Sequence, residues 1–428
     1  MARAFARLAR SASLGLLVGL LMPAGAPAAP LTRRLDPVVL DGAELLVLPK
    51  PTTAHLRVYR WRGGAFEAIP YQFDARDKNG DVELAKQNFE LDANDELAFM
   101  AADTGERANP SALPPACTAA AEITVDDPRD HARGWVYLLS FADPPARADR
   151  PPYAVIDDDG LHARSANYSV EYADGANVFT AMRIAPAAGG TGENLLRQTR
   201  MTGEPTLRIL FNDLTLHFDE HSTVAQIEGV KNGPIRAIRQ VRLSIDLGKM
   251  FPDLPQGTTH TYHYSEGFDS PSRISVPWVV LKTLRAFRFE DVVVFDPAVE
   301  PLRYWDGANP DGVDLTDGAP LRTDVDHDWW AVRSRAGSIL QTLQIPDRWK
   351  EWGIARGTVV GDRRDATDDS ASYVAGYSLL NMTRLRQHGD YAFGQLMLVV
   401  PGGYHPGDER DAQAMSQQPL TTTVTRIR

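Results

Sequence analysis

His260-Thr261-Tyr262-His263-Tyr264 sets four ring side chains with polar edges into five residues. His and Tyr exchange protons near neutral pH when neighbours tune them. Abstracting a proton from an acidic sugar would need such a group beside a neutralising cation. His260, Tyr262 and His263 are therefore candidate acids and bases, although a polar surface strand would carry the same residues. A second stretch is acidic. Asp306, Asp311, Asp314 and Asp317 punctuate a Gly-rich segment, and Asp324-Val325-Asp326-His327-Asp328 follows. In extended chain the last three carboxylates share a face and repel one another. Calcium, an arginine such as Arg322 or Arg333, or plain water would relieve this, and Asp326 joins the catalytic candidates. Six of the eight Trp lie between Trp278 and Trp352. Indole faces beside carboxylates suit a sugar, whose C–H faces pack and whose hydroxyl rim hydrogen-bonds. Tyr304, Trp305, Asp306 and Trp330 are thus candidate ligand contacts, with burial in a core as the competing role.

A third group is Asp77-Lys78-Asn79-Gly80-Asp81. Its i, i+2, i+4 oxygens match the start of a calcium loop, so Asp77, Asn79 and Asp81 are candidate Ca2+ ligands. Val82 stands where the sharp-turn Gly of an EF-hand falls, and Asn88 where its bidentate Glu falls. Asn79-Gly80-Asp81 also specifies a simple hairpin turn. No G-x-S-x-G elbow and no glycine-rich phosphate loop occurs in the sequence.

The compartment bears on all three groups. Arg3, Arg7 and Arg10 precede an apolar run from Leu14 to Met22, and Ala26-Pro27-Ala28 has the small-x-small form of a signal-peptidase site. The expectation is a signal peptide over residues 1–28 and export to a periplasm or the extracellular space, where calcium and polymers are accessible. The apolar run is shorter than the roughly 20 residues of a membrane span, so none is expected. A formal net charge of −11, more negative once the leader's arginines are gone, repels phosphate backbones and argues against nucleic acid. Cys117 is the only cysteine, so no intramolecular disulfide can form. Lying far from the leader, it cannot be a lipidated first residue either.

The elements that must position these groups read as strands. From Val38 onward, short runs rich in β-branched and aromatic residues alternate with Gly, Pro, Asp and Asn clusters. Residues 235–245 alternate most clearly, with Arg and Gln tending to one face and aliphatics to the other. Helical candidates are few: 85–90, and 277–287, which reads equally well as strand. The expected fold class is all-β, with antiparallel β-sandwich domains. A small N-terminal β domain (29–143), a Pro-rich linker (144–155) and a larger C-terminal β-sandwich or supersandwich region (156–428) follow the leader. Glu228-Gly229-Val230-Lys231-Asn232-Gly233-Pro234-Ile235-Arg236-Ala237 and the Arg-rich strand after it, with the late runs 373–385 and 391–400, resemble galactose-mutarotase-like β-supersandwich domains. That resemblance implies a fold shared with carbohydrate epimerases and polysaccharide lyases, and it maps no catalytic residue here.

Two functions fit. One is an exported β-rich protein that binds a polar, carbohydrate-like ligand or a cell-envelope protein without catalysis. The alternative is a lyase or isomerase of mutarotase-like fold, which requires His260 or His263 to meet the Trp305/Asp326 region in one pocket.

Overall fold

A computed structural model describes residues 30–33, 35–49, 51–209, 211–245, 257–276, 278–315, 321–323, 325–365 and 368–428. The expected signal peptide, Asp317 and Asp324 lie outside these residues. The fold is all-β and antiparallel, and the described residues form five sheets. Among the described residues the longest helix, Glu409–Gln417, has nine residues. None is long and apolar enough to cross a membrane.

The chain divides into two compact units. The first comprises the described residues up to Pro152 together with Gly233–Ile235 and Ala414–Arg428. Leu56–Arg62, Ala65–Ala68, Cys117–Asp126, Arg133–Phe141 and the last strand, Thr421–Arg426, form a five-stranded sheet. Pro37–Asp41, Gln72–Asp74 and Glu96–Met100 form a three-stranded one. Period-2 alternation explains the core: Leu56 and Val58 turn inward while Arg57 and Tyr59 do not. Cys117 is buried against Tyr137 and Phe141, and its thiol donates to the Ala119 carbonyl at 3.0 Å. The run 85–90, expected as helix, is turn and loop instead.

The second unit, Tyr153–Asn232 with Arg236–Gln413, contains a four-stranded, a six-stranded and a nine-stranded sheet. Apolar side chains from all three join one core that includes Ile156, Tyr168, Phe268, Val293, Phe295, Tyr304, Trp330 and Tyr377. The nine-stranded sheet carries most of the residues singled out above. Its strands run, from one edge, Thr223–Asn232, Ala237–Ile245, Gly257–His263, Gly267–Val276, Gly389–Val399, Gly337–Gln344, Trp329–Ser334, Arg303–Asp306 and Asn309–Asp314. Region 277–287 resolves its ambiguity by dividing into the helix Trp278–Thr283 and the start of strand Leu284–Phe295.

Register sets which groups share a face. Ala237 pairs with His263, Arg239 with Thr261, and Val241 with Thr259, all on the core side. Ile238 pairs with Tyr262, Gln240 with His260, and Arg242 with Thr258 on the opposite side. The alternation read from the sequence is thus crossed at two positions, because Arg239 falls among the aliphatics and Ile238 among the polar residues. Arg239 is fully buried there. Its guanidinium donates to the Gly160 carbonyl at 2.8 Å and Asn177 Oδ1 at 2.6 Å, and lies 4.1 Å from the Tyr172 ring centre.

Candidate functional site

The side of strands Ala237–Ile245 and Gly257–His263 that faces away from the core gathers Gln240, His260 and Tyr262 beside Arg236, each of them buried, with 2–7% of its surface exposed. His260 and Tyr262, two residues apart, point the same way and stack with ring centres 6.1 Å apart and planes 10° from parallel. The Arg236 guanidinium sits 4.5 Å from the Tyr262 ring centre. Asp269 stands opposite Tyr262 on the next strand. Protein packed around Asp269 raises its carboxyl above the usual carboxylate range, and the charge of Arg236 only partly offsets this. Burial likewise raises the Tyr264 hydroxyl, against the pull of Arg236.

A ladder of hydrogen bonds reaches His260 from the exposed edge. Arg242, with 54% of its side chain exposed, pairs with Glu228, which retains 19%. Gln240 Nε2 donates to Glu228 Oε2 at 2.9 Å, and Gln240 Oε1 lies 3.0 Å from His260 Nε2. Donor and acceptor roles follow from the carboxylate, which can only accept. Gln240 must give its N–H to Glu228, its oxygen then accepts, and His260 Nε2 must carry the hydrogen. In the neutral ring Nδ1 is consequently the basic nitrogen. Burial raises the Glu228 carboxyl, but hydrogen bonds from Gln240 and Arg242, with the charge of Arg242, outweigh it and hold the group below the usual carboxylate range.

The other candidates are placed elsewhere. His263 faces the core and is fully buried between two tyrosines, with Nδ1 3.1 Å from the Tyr168 hydroxyl and Nε2 2.9 Å from that of Tyr172. Tyr168 spends its own proton on the Gly267 carbonyl at 2.8 Å, so His263 Nδ1–H donates to Tyr168 and Tyr172 donates to Nε2. Burial, with repulsion from Arg239, pushes the imidazole down to about 3. His263 is therefore a neutral core histidine and not an acid–base group near neutral pH.

Asp326 is a bracket for the chain. Its Oδ1 accepts from the Arg356 backbone N–H and Nε, and its Oδ2 from Arg356 Nη2, each at 2.8 Å, while Arg356 Nη1 donates to the Leu343 carbonyl. Partial burial raises the Asp326 carboxyl, but the Arg356 contacts outweigh it and lower it overall. Among the described side chains, which do not include that of Arg322, the arginine that meets Asp326 is Arg356 and not Arg333.

Tyr304, Asp306 and Trp330 were expected at a ligand and are instead enclosed in the core, each with no exposed surface. Asp306 accepts from the Tyr304 hydroxyl at 2.8 Å and from the Ala308 and Asn309 backbone N–H groups, which shape the turn to the next strand. Trp305, on the opposite face, packs 5.0 Å from Tyr404 with 6% of its surface exposed. Five strand intervals separate His260 from Trp305 in the sheet, a span of about 24 Å. The pocket required by the sequence-based enzyme reading is not assembled.

In the first unit, Asp77 closes a hairpin turn. Its Oδ1 accepts from the backbone N–H of Asn79 (2.8 Å) and Asp81 (2.9 Å), and Oδ2 accepts from Asn79 Nδ2 (3.1 Å). Slight burial raises the carboxyl, and these bonds outweigh it to lower it overall. Among the described residues no three His, Cys, Asp or Glu side chains converge as a metal site would require.

Arg236, Gln240 and Glu228 escaped the sequence reading. Period-2 counting from Arg236 to Arg242 puts the first two on one face, and the same counting joins His260 to Tyr262 while excluding His263. Only strand pairing brings the two sets together.

No family model matches the sequence, and no curated protein matches it. At the level of fold, the chain is similar to the structure of an alpha-mannosidase from Enterococcus faecalis V583, with 11% identity and a TM-score of 0.45 over 92% of this chain and 44% of that one. The chain thus spans less than half of that protein's length. It is also similar to a galactose mutarotase related enzyme from Lactobacillus acidophilus, with 9% identity and a TM-score of 0.38 over 58% of this chain and 98% of that one. A galactose mutarotase-like protein from Clostridium acetobutylicum aligns at 9% identity and a TM-score of 0.35, over 56% of this chain and 95% of that one.

Proposed function

We propose that the chain is exported by its leader and that its second unit binds a polar, carbohydrate-like ligand at the cluster of Arg236, Gln240, His260 and Tyr262, which opens to solvent through only 2–7% of each residue's surface, so that neighbouring segments must give way as the ligand enters. The stack of His260, Tyr262 and the Arg236 guanidinium carries this reading: an aromatic ring is flanked by groups that donate hydrogen bonds, as a sugar with an apolar face and a polar rim requires. N-terminal sequencing of the protein recovered from its native compartment checks the expected cut after Ala28. The binding test is calorimetry of the full chain against neutral and acidic oligosaccharides, with His260→Ala and Arg236→Gln compared at unchanged circular dichroism. Binding weakened about tenfold or more in both variants supports the site. Wild-type affinity in both, or no binding across the panel, removes it.

A second reading is proton transfer from a bound acidic sugar, and the fixed tautomer of His260 favours it. Gln240 and Glu228 orient the ring so that Nδ1 is the basic nitrogen, while Arg236 supplies the cation. Following absorbance of an unsaturated product from polyuronates separates the two readings. Turnover that disappears in His260→Ala and falls in Gln240→Ala makes the unit an enzyme; ligand binding without any turnover makes it a binding module.

A further inference from the structure

At one end of the second unit, strands Gly267–Val276 and Gly389–Val399 run antiparallel with Val276 opposite Gly389. The segment leaving the first strand becomes the helix Trp278–Thr283, and the segment entering the second is 385–388, so the pairing brings these two connections side by side. Between them lies a cavity of about 610 Å³. Leu281 and Leu385 line its apolar part and join the core, which anchors this end. Trp278 contributes an indole that is 62% exposed, an unusual state for a residue normally buried.

The remaining lining is cationic and polar: Lys282, Arg386, Gln387 and His388. Among the described residues no Asp or Glu lines the cavity, and neither Lys282 nor Arg386 has a carboxylate partner. Asp390 lies two positions past His388 without lining it. This is a local inversion in a chain whose net charge is −11. Gln387 fixes the loop: its side-chain oxygen accepts from Arg348 Nη1 at 3.1 Å, and its carbonyl accepts from the Tyr391 hydroxyl at 2.5 Å. Arg386 on this tethered loop and Lys282, one turn along the helix from Trp278, share a preformed space with the exposed indole.

We propose that this cavity binds an acidic saccharide, with a pyranose C–H face on Trp278 and the sugar carboxylate held by Lys282 and Arg386. An indole alone would take a neutral sugar, and two cations alone would take any small anion; together they select a ligand with an apolar ring face and a carboxylate. A nucleotide also offers a ring and an anion, and serves as a control. The site uses none of the residues of the His260 face and stands or falls apart from it.

The test is calorimetry of the full chain with trigalacturonate, maltotriose, adenosine monophosphate and inorganic phosphate. Trigalacturonate should bind, and maltotriose and phosphate at least about tenfold more weakly. Trp278→Ala and the double variant Lys282→Gln/Arg386→Gln should each lower trigalacturonate affinity about tenfold or more. All three positions are exposed, so the variants should unfold like the wild type. A binding event lost in Trp278→Ala and retained in His260→Ala belongs to this cavity, apart from any event on the His260 face. Wild-type affinity in Trp278→Ala, adenosine monophosphate binding as tightly as trigalacturonate, or affinity lost only in His260→Ala would overturn the assignment; the last result would place the ligand on the His260 face.

Discussion

His260 and His263 belong to the same seven-residue strand, and the two sides of that strand treat them in opposite ways. His263 turns into the core, where two tyrosines consume both ring nitrogens and burial keeps it neutral. His260 turns to the polar face, where one nitrogen is held by a ladder leading to the exposed Arg242 and the ring lies beside Tyr262 and Arg236. An odd separation along an extended chain is enough to cause this, because successive side chains alternate between faces. The lesson is that a polar group's chemistry depends on which partners the fold gives it. Asp77, Asp306 and Asp326 stand on the His263 side of this division, since each spends its carboxylate on shaping the chain.

The largest effect should come from His263→Phe. It strips both buried tyrosine hydroxyls of a partner and should cost about 2–4 kcal/mol at neutral pH, measured by urea unfolding. It should also change the acid limb of stability. The folded pKa of His263 is depressed to about 3 from an unfolded value of about 6.5, so the unfolded chain binds the extra proton between these values. The wild type therefore has the full contribution above about 6.5 and loses it as pH falls toward 3. His263→Phe should show a shallower slope in that window, and an unchanged slope would refute the neutral-core assignment.

His260→Phe should be milder, about 1 kcal/mol for the bond to Gln240, because Gln240 keeps its bond to Glu228 and no pair of buried hydroxyls is stranded. A loss matching that of His263→Phe would erase the contrast between the two faces. The smallest effect belongs to Asp77→Ala, where the turn's hydrogen bonds are worth about 1 kcal/mol or less at a partly exposed position. Thermal melts with and without calcium sharpen the point: the turn reading expects the same midpoint in both. A wild-type midpoint that rises with calcium and fails to rise in Asp77→Ala would move this carboxylate to the ligand-binding side of the comparison.

Much of the architecture was legible in local patterns. Alternation at 235–245 marks a strand because a pleated chain presents its side chains to two faces in turn, but 235–241 are buried on both faces and not on one, since other segments cover the polar side as well. The candidate site was legible only in part. His260 and Tyr262 stand out by type and spacing, whereas Glu228 and Gln240 become partners through the register of Thr223–Asn232 against Ala237–Ile245, which includes a shift between Ile227 and Gly229. Tyr304, Asp306 and Trp330 misled because composition alone cannot separate an aromatic, acidic cleft from an aromatic core with one satisfied carboxylate.

By itself the sequence determined the antiparallel β class, the impossibility of an internal disulfide and the acidic balance, since these depend on periodicity and composition. Tertiary structure decided which histidine meets the core tyrosines and which stands beside Tyr262 and Arg236, that Asp326 is committed to Arg356, and that Trp278 and Arg386 line one cavity. Each of these depends on residues far apart in the chain becoming neighbours. That follows from strand order and register, which local propensities do not encode.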